Sequence, residues 1–161
     1  MTTTITGSGG VSKVQTGAIE HGDLPSGAVL QVVQGTTSTE VSATSTSYID
    51  TGLTAAITPT SASSKIVVMI QHNDTRVSAA GGSIDFNLYR DGASLSVLCK
   101  YYLYNSAGNL HAGFSANYLD SPASTSSLTY KTVFKRTQNT STVYVQADNT
   151  PSTITLMEIA G

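Results

Sequence analysis

The residue types best suited to recognise a ligand gather in one stretch, 99–113, which reads CKYYLYNSAGNLHAG. Its first half carries three tyrosines, and two asparagines and a histidine follow across a glycine-containing turn. Aromatic faces stack on sugars while amides pair with sugar hydroxyls, so this composition is typical of sugar-binding surfaces, although clustered tyrosines also serve packing and subunit interfaces. The candidate receptor-contact residues are Tyr102, Tyr104, Asn105, Asn109 and His111.

Other reactive side chains lack the spacing that catalysis or metal binding requires. His72 lies in QHND (71–74), but the H-x-x-x-H spacing of transition-metal sites is absent. There is no G-x-S-x-G elbow, and GSGG at 7–10 is neither a Walker A sequence nor a dinucleotide fingerprint. Cys99 has apolar neighbours, as a small core residue would. We therefore expect no catalytic residue, no metal, no cofactor and no enzymatic activity.

One catalytic arrangement stays open at the level of sequence. Glycoside hydrolysis needs two carboxylates that meet in space, and nothing local in the sequence supports or excludes such a pair. A glycan-cleaving enzyme is therefore kept as a remote third hypothesis. The carboxylates concerned are Asp85, Asp91, Asp120 and Asp148.

Composition excludes two classes of partner. The chain has 161 residues, a net charge of -2 and 11% charged residues, against a usual charged fraction of about 25%. No basic surplus exists to neutralise phosphates, so we expect no nucleic-acid partner. The longest apolar run, IVVMI at 66–70, is too short to cross a bilayer, and the N-terminus has no secretory pattern, so we expect no membrane insertion.

The pattern of the chain from residue 28 onward is that of strands. Thr, Val, Ile and Tyr suit a pleated, half-buried surface, and SIDFNLYR (83–90) and SLTYKTVFKR (127–136) alternate apolar with polar positions. Asp91-Gly92 is a strong hairpin signal. Eight to ten such segments with no credible helix predict an all-β fold, an antiparallel β-sandwich with jelly-roll topology, over 28–161.

Residues 1–27 differ from this pattern. They are rich in glycine, and their apolar residues are too isolated to form a core. We predict an extended N-terminal docking arm that is ordered by contacts with other chains. Its candidate docking residues are Ile5, Val11, Val14, Ile19 and Leu24.

The run IVVMI predicts a second contact surface. A strand with one wet face should alternate, so five consecutive apolar residues indicate that both faces are covered, either by a neighbouring subunit or by a long loop. The subunit alternative makes Val67, Val68 and Met69 candidate oligomer-interface residues and, with the threefold symmetry that suits a fibre tip, predicts a homotrimer.

Four segments together resemble a known group of proteins: GVSKVQTGAIEHGDLPSGAVLQVV, ITPTSASSKIVVMI, LDSPASTSSLTYKTVFKR and the terminal STITLMEIAG. They are similar to the distal (knob) domains of bacteriophage tail fibres and related virion appendage proteins, particularly from phages of aquatic bacteria. The resemblance implies a stalk or docking arm followed by a trimeric β-sandwich knob. It implies a protein that is assembled in the host cytoplasm and located in the virion.

Three functions follow from the sequence as hypotheses. The first is a short tail-fibre-like homotrimer that attaches to a glycan or protein of the host surface and joins other virion proteins through its arm. The second is a capsid decoration or head-fibre protein that docks on and reinforces the phage head. The third is the glycan-cleaving enzyme introduced above.

Overall fold

A computed structural model of the chain describes residues 23–104, 106 and 108–161. Ile5, Val11, Val14, Ile19 and Asn105, named above, lie outside these residues, so the predictions for them stay predictions. No helix in the described ranges is long and apolar enough to cross a membrane. The strands are β1 (Val29–Thr37), β2 (Val41–Ala43), β3 (Ile49–Ile57), β4 (Lys65–Val77), β5 (Ser83–Arg90), β6 (Ala93–Tyr102), β7 (Leu110–Asp120), β8 (Leu128–Gln138), β9 (Val143–Val145) and β10 (Ser152–Ile159).

The strands form two antiparallel sheets that pack face to face. Without the short β2 and β9, the strand order is β1-β10-β4-β7 in sheet A and β3-β8-β5-β6 in sheet B. The first and last strands of the chain are neighbours, and each sheet mixes early with late strands. This is the order of a jelly roll, a sandwich of two Greek keys, so the prediction of an antiparallel jelly-roll-like sandwich is confirmed.

Local sequence accounts for two features of the strands. Asp91 and Gly92 have φ values of 50° and 83°, and positive φ at both central residues defines the type I′ turn that closes the predicted hairpin. The strand β3 (Ile49–Ile57) carries one irregularity. Gly52 has φ 78°, its N–H donates to Asp50 Oδ1 at 2.8 Å, and the pairing with β8 shifts between Asp50 and Thr54.

The core consists of two apolar clusters in the space between the sheets. Inward residues alternate along the strands as the sequence predicts, and Leu128, Tyr130, Thr132 and Phe134 of β8 are all buried. The first cluster contains Leu53, Ala55, Ile57, Ile66, Val68, Ile70, Leu88, Leu128, Tyr130, Ile154 and Leu156. The second contains Ala43, Val77, Ile84, Phe86, Phe114, Phe134, Val143 and Val145.

The run 66–70 alternates despite its uniform composition. Val68 faces the core with none of its surface exposed. The prediction that Val68 belongs to an oligomer interface is therefore wrong. Val67 is half-buried and Met69 is 37% exposed on the outer face of sheet A, where nothing in the described part of the chain covers them fully. Their role in an interface stays a prediction. The strand with both faces buried is β5, where even Asp85 and Asn87 are 4% exposed.

The connections define two ends of the sandwich. The loop end holds the β4–β5, β6–β7 and β8–β9 connections, and Asn139 Nδ2 donates to Ala80 O at 2.6 Å across two of them. The base holds the β3–β4 connection and the point where the N-terminal segment joins β1. There, Gly27 N donates to Ala160 O and Ala160 N donates to Ala28 O, both at 2.8 Å.

A buried carboxylate fixes the base. Thr60 donates to Glu158 Oε1 through its backbone N–H and its hydroxyl, both at 2.7 Å, and Gln31 Nε2 donates to Oε2 at 2.6 Å. Burial alone would raise the pKa of Glu158, but these hydrogen bonds lower it to about 2. The ionised side chain therefore joins β1, β10 and the β3–β4 connection at one point.

We expect Gly35→Ala to destabilise the sandwich, because β1 approaches β3 closely at this glycine. A Cβ at Gly35 would lie 1.9 Å from the carbonyl oxygen of Thr54, and forcing the strands apart costs about 1–3 kcal/mol or more. Urea unfolding measures the loss. Thr36→Ala, at the exposed neighbouring position, is the control and should change the free energy of unfolding by about 0.5 kcal/mol at most.

Candidate receptor-contact surface

A strained turn at the loop end presents two tyrosines to solvent. Tyr101 and Leu103 have φ values of 57° and 63°, which bulky residues rarely adopt, and Tyr104 N donates to Tyr101 O at 3.3 Å to close the turn. Tyr101 N donates to Asp85 Oδ1 at 2.9 Å, which ties the turn to the buried strand β5. Such strain persists only when the surroundings hold it in place, and it often accompanies functional surfaces.

The two tyrosines and one amide line a shallow cavity. Tyr101 is 55% and Tyr104 is 63% exposed, and with Gln138 at the end of β8 they enclose about 300 Å³. Two aromatic side chains beside an amide have the chemistry to bind a sugar or a peptide side chain. Tyr104 is a residue that the sequence predicted, whereas Tyr101 and Gln138 were not among the candidates.

Tyr102 does not share this exposed surface. Its hydroxyl donates to Gly113 O, and its ring packs edge-on against Phe114 at 5.4 Å and Phe86 at 6.4 Å between centroids. Burial raises the pKa of the Tyr102 hydroxyl, which stays protonated at neutral pH. Tyr102 therefore packs on the second apolar cluster, because neighbours along a strand point to opposite sides.

His111 lies apart from the tyrosines, beside β4 in sheet A. Its Nδ1 is 3.0 Å and 3.1 Å from the two carboxylate oxygens of Asp74, and one oxygen of Asp148 lies in the same group within 4.8 Å. Arg76, opposite His111 in the ladder, stacks on Tyr144 at 3.8 Å from the ring centroid. The His111–Asp74 contact has the distance of a hydrogen bond. Asn109 is exposed at the loop end with φ 54°.

The carboxylates considered for glycoside hydrolysis hold separate structural contacts. Asp120 binds Arg90 and accepts from Tyr130 Oη at 2.7 Å, while Asp91 accepts from Thr129 N at 2.8 Å on the hairpin. Asp85 accepts from the Tyr101 backbone, and Asp148 lies in the His111 group. Burial raises the pKa of the nearby Cys99 thiol to about 11, which keeps it from acting as a thiolate.

The interior carries a polar layer where the two apolar clusters meet. His72 is fully buried, stacks on Phe86 at 5.1 Å, and its Nε2 is 3.2 Å from Thr132 Oγ1. With the Gln146 amide oriented to satisfy its neighbours, its Oε1 accepts from His72 Nδ1 at 3.0 Å. Thr51 Oγ1 lies 2.6 Å from Thr132 Oγ1 and extends the layer to β3.

Among the residues that the structure describes, no carboxylate is hydrogen-bonded to the buried imidazole. Its polar contacts are Thr132 and Gln146, both neutral, and burial lowers the pKa of His72 to about 4. Tyr102 packs on its aromatic neighbours Phe86 and Phe114, and Cys99 is paired with Phe86. Burial raises the pKa values of both, which keeps them uncharged at neutral pH. A neutral His72 therefore completes the layer, and a charged one has no counter-ion there.

Comparisons with known proteins concern the fold alone. No protein-family model and no curated protein matches the sequence. Among solved structures, a chain of infectious bursal disease virus, Gx strain, is similar over 83% of this chain with 12% identity and a TM-score of 0.47. The VP2 subviral particle of the same virus is similar over 83% with 12% identity and a TM-score of 0.39. The chain spans 33% and 39% of those two chains.

We expect stability to fall with pH through the titration of His72. The unfolded state binds a proton below a pKa of 6.5, while the folded state resists protonation until about pH 4, so up to about 3 kcal/mol is lost across that window. Urea unfolding between pH 7 and pH 4 measures the slope. His72→Gln should flatten it, whereas the control His111→Gln should retain it. Equal slopes for wild type and His72→Gln would contradict the prediction.

Proposed function

We propose that the chain is a virion structural protein, a short homotrimeric appendage whose arm docks on other virion proteins and whose loop end contacts the host surface. The resemblance of four sequence segments to phage tail-fibre distal domains supports the virion role. The jelly roll supports it only at the level of fold, because capsid proteins, lectin domains and cupins share that architecture. In this proposal the chain performs no catalysis.

The observation that carries the proposal is the opposition of the two ends. The N-terminal segment joins the sandwich at the base, beside Ala160, while the tyrosine cavity and the His111 group lie at the loop end. Strands of nine to thirteen residues separate the two ends, a length of roughly 30–40 Å. A protein anchored through its first residues therefore presents the exposed tyrosines away from the anchor.

The chemistry of the loop end supports attachment to a glycan or a protein. Loops tolerate variation that sheet ladders do not, and they commonly carry binding residues on a rigid scaffold. Tyr101, Tyr104 and Gln138 combine large aromatic surface with an amide, and tyrosines supply contact area at low entropic cost. The same bipolar geometry serves the alternative role of a head fibre or capsid decoration protein, so location distinguishes the two.

Locating the protein on purified particles tests the proposal. Immunogold labelling with antibodies to the folded sandwich should mark the tail tip, and labelling of the head would favour the decoration alternative. A chain lacking residues 1–22 should fold with an unchanged melting temperature and fail to incorporate into particles. Incorporation of the truncated chain would show that docking lies in the sandwich.

Adsorption to host cells tests the contact surface. Tyr101→Ala and Tyr104→Ala should reduce adsorption while the free energy of unfolding changes by about 0.5 kcal/mol at most, since both side chains are exposed. Tyr102→Ala should instead lose about 2 kcal/mol of stability through lost packing. Tyr89→Ala, on the outer face of sheet B, is the control for adsorption. Full adsorption by both exposed-site variants would reject the attachment role.

A further inference from the structure

We infer that the outer face of sheet A is the surface at which copies of this chain associate, each copy presenting the same face to its neighbours. The inference deepens the homo-oligomeric part of the proposed function and rests on that part alone. The sequence pointed to the single apolar strand 66–70 as an interface, whereas the structure shows a surface built by four strands. The sequence does not reveal this surface, because the four strands come from distant parts of the chain.

An apolar row crosses the whole face in register. Val32 of β1 is paired with Met157 of β10, Met157 with Val67 of β4, and Val67 with Leu119 of β7. Residues directly opposite in antiparallel strands share a face and touch. Val32 is 57% and Leu119 is 56% exposed, and the two central members are half-buried. The row is thus a continuous apolar stripe that is open to solvent in the single chain.

The adjoining row is uncharged, and three of its four members are polar. Gln34, Thr155, Met69 and Asn117 are paired across the same four strands, and Gln34 Nε2 donates to Thr155 Oγ1 at 3.0 Å. Amides and hydroxyls both donate and accept hydrogen bonds. An apolar centre with an uncharged polar border is the composition of the centre of a protein interface, where charged residues are depleted.

The outer face of sheet B has the opposite character. Lys131 Nζ lies 2.6 Å from Asp50 Oδ2, and Lys135 Nζ lies 4.0 Å from Asp85 Oδ2 and over the ring of Tyr48 at 4.7 Å. These charged groups pair with one another within the chain, and the Lys131–Asp50 pair is part-exposed to solvent. The two faces therefore differ in charge around these strands. The apolar row and the row beside it carry no charged side chain, and the His111–Asp74 contact of sheet A lies away from them at the loop end.

The size of the face fits an interface. Four strands about 4.8 Å apart and seven residues at about 3.3 Å each give a projected area on the order of 400 Å². This projected area is about half of the roughly 800 Å² of accessible surface that each partner contributes to a standard interface. The accessible area of the face is larger than its projected area, because side chains protrude from the sheet.

The occupant that fits is another copy of the chain. Neither row carries a charge, so two copies meet without like-charge repulsion, while a partner of opposite charge would find no group to pair with. Each hydroxyl and amide of the border finds both donors and acceptors on the same border of a neighbour. Lys65, the nearest charge on β4, lies two residues before Val67 at the margin of the face, where its long side chain reaches solvent.

Substitutions on the two faces test the inference with the full chain. Light scattering at micromolar concentration should give three times 16.7 kDa for the wild type. Val32→Asp and Leu119→Asp should give 16.7 kDa, because each places a charge in the apolar row of the contact. Val97→Asp is the matched control, since Val97 is 45% exposed on β6 of sheet B and the variant should keep the wild-type mass.

A further variant distinguishes dissociation of the oligomer from loss of folding. Asn117→Arg adds a charge and bulk at an exposed polar position of the face, so its circular dichroism should stay that of the wild type while its mass falls to that of one chain. If the wild type is assembled and the variants on sheet A keep its mass, the interface does not lie on this face, although the chain is still a homo-oligomer. A monomeric wild type would overturn both, and equal dissociation by Val97→Asp would show that the face is not specific. Labelling of particles tests the virion role separately.

Discussion

The insertion of the last strand between the first and the third long strands is the constraint on which the rest of the structure depends. Ser152–Ile159 pairs with β1 on one side and with His72–Lys65 of β4 on the other, and its inward residues Ile154 and Leu156 are fully buried. The pairing with β1 joins residues more than a hundred positions apart, so the sandwich closes only when both termini of the domain are in place. It also holds the N-terminal segment at the base, because Gly27 and Ala28 continue the same ladder with Ala160.

This closure gives the molecule two different ends and two different faces. The base is held by the ionised Glu158, and the loop end carries strained backbone and exposed tyrosines. The outer face of sheet B pairs its charges within the chain, whereas sheet A leaves an uncharged surface open around the row from Val32 to Leu119. A protein with a charged fraction of 11% cannot cover its whole surface with charge. The uncharged rows of sheet A are the part of that surface that we infer to contact another copy of the chain.

The interior combines apolar packing with one polar layer at its middle. His72, Thr132 and Gln146 satisfy one another, and the neutral imidazole stacks on Phe86. A buried polar group is tolerable when it is hydrogen-bonded and costly when it is not. The layer joins β4 of sheet A to β8 of sheet B through side chains, so it fixes the position of one sheet against the other in a way that apolar contacts, which are not directional, do not.

The sequence by itself determined the strands, the hairpin at Asp91-Gly92 and the fold class, because alternation and turn residues are local properties read from neighbouring positions. It also indicated Tyr104 as a candidate contact residue and 66–70 as an unusually apolar strand. It could not separate Tyr102 from Tyr104, nor find Gln138, because a side chain's surroundings depend on which strands lie beside it. Val68 was misassigned for the same reason, since uniform apolar composition hides which residues face inward. The row Val32, Met157, Val67 and Leu119 exists only through register between strands, so tertiary structure alone decided the face, the two ends and the partners of His72.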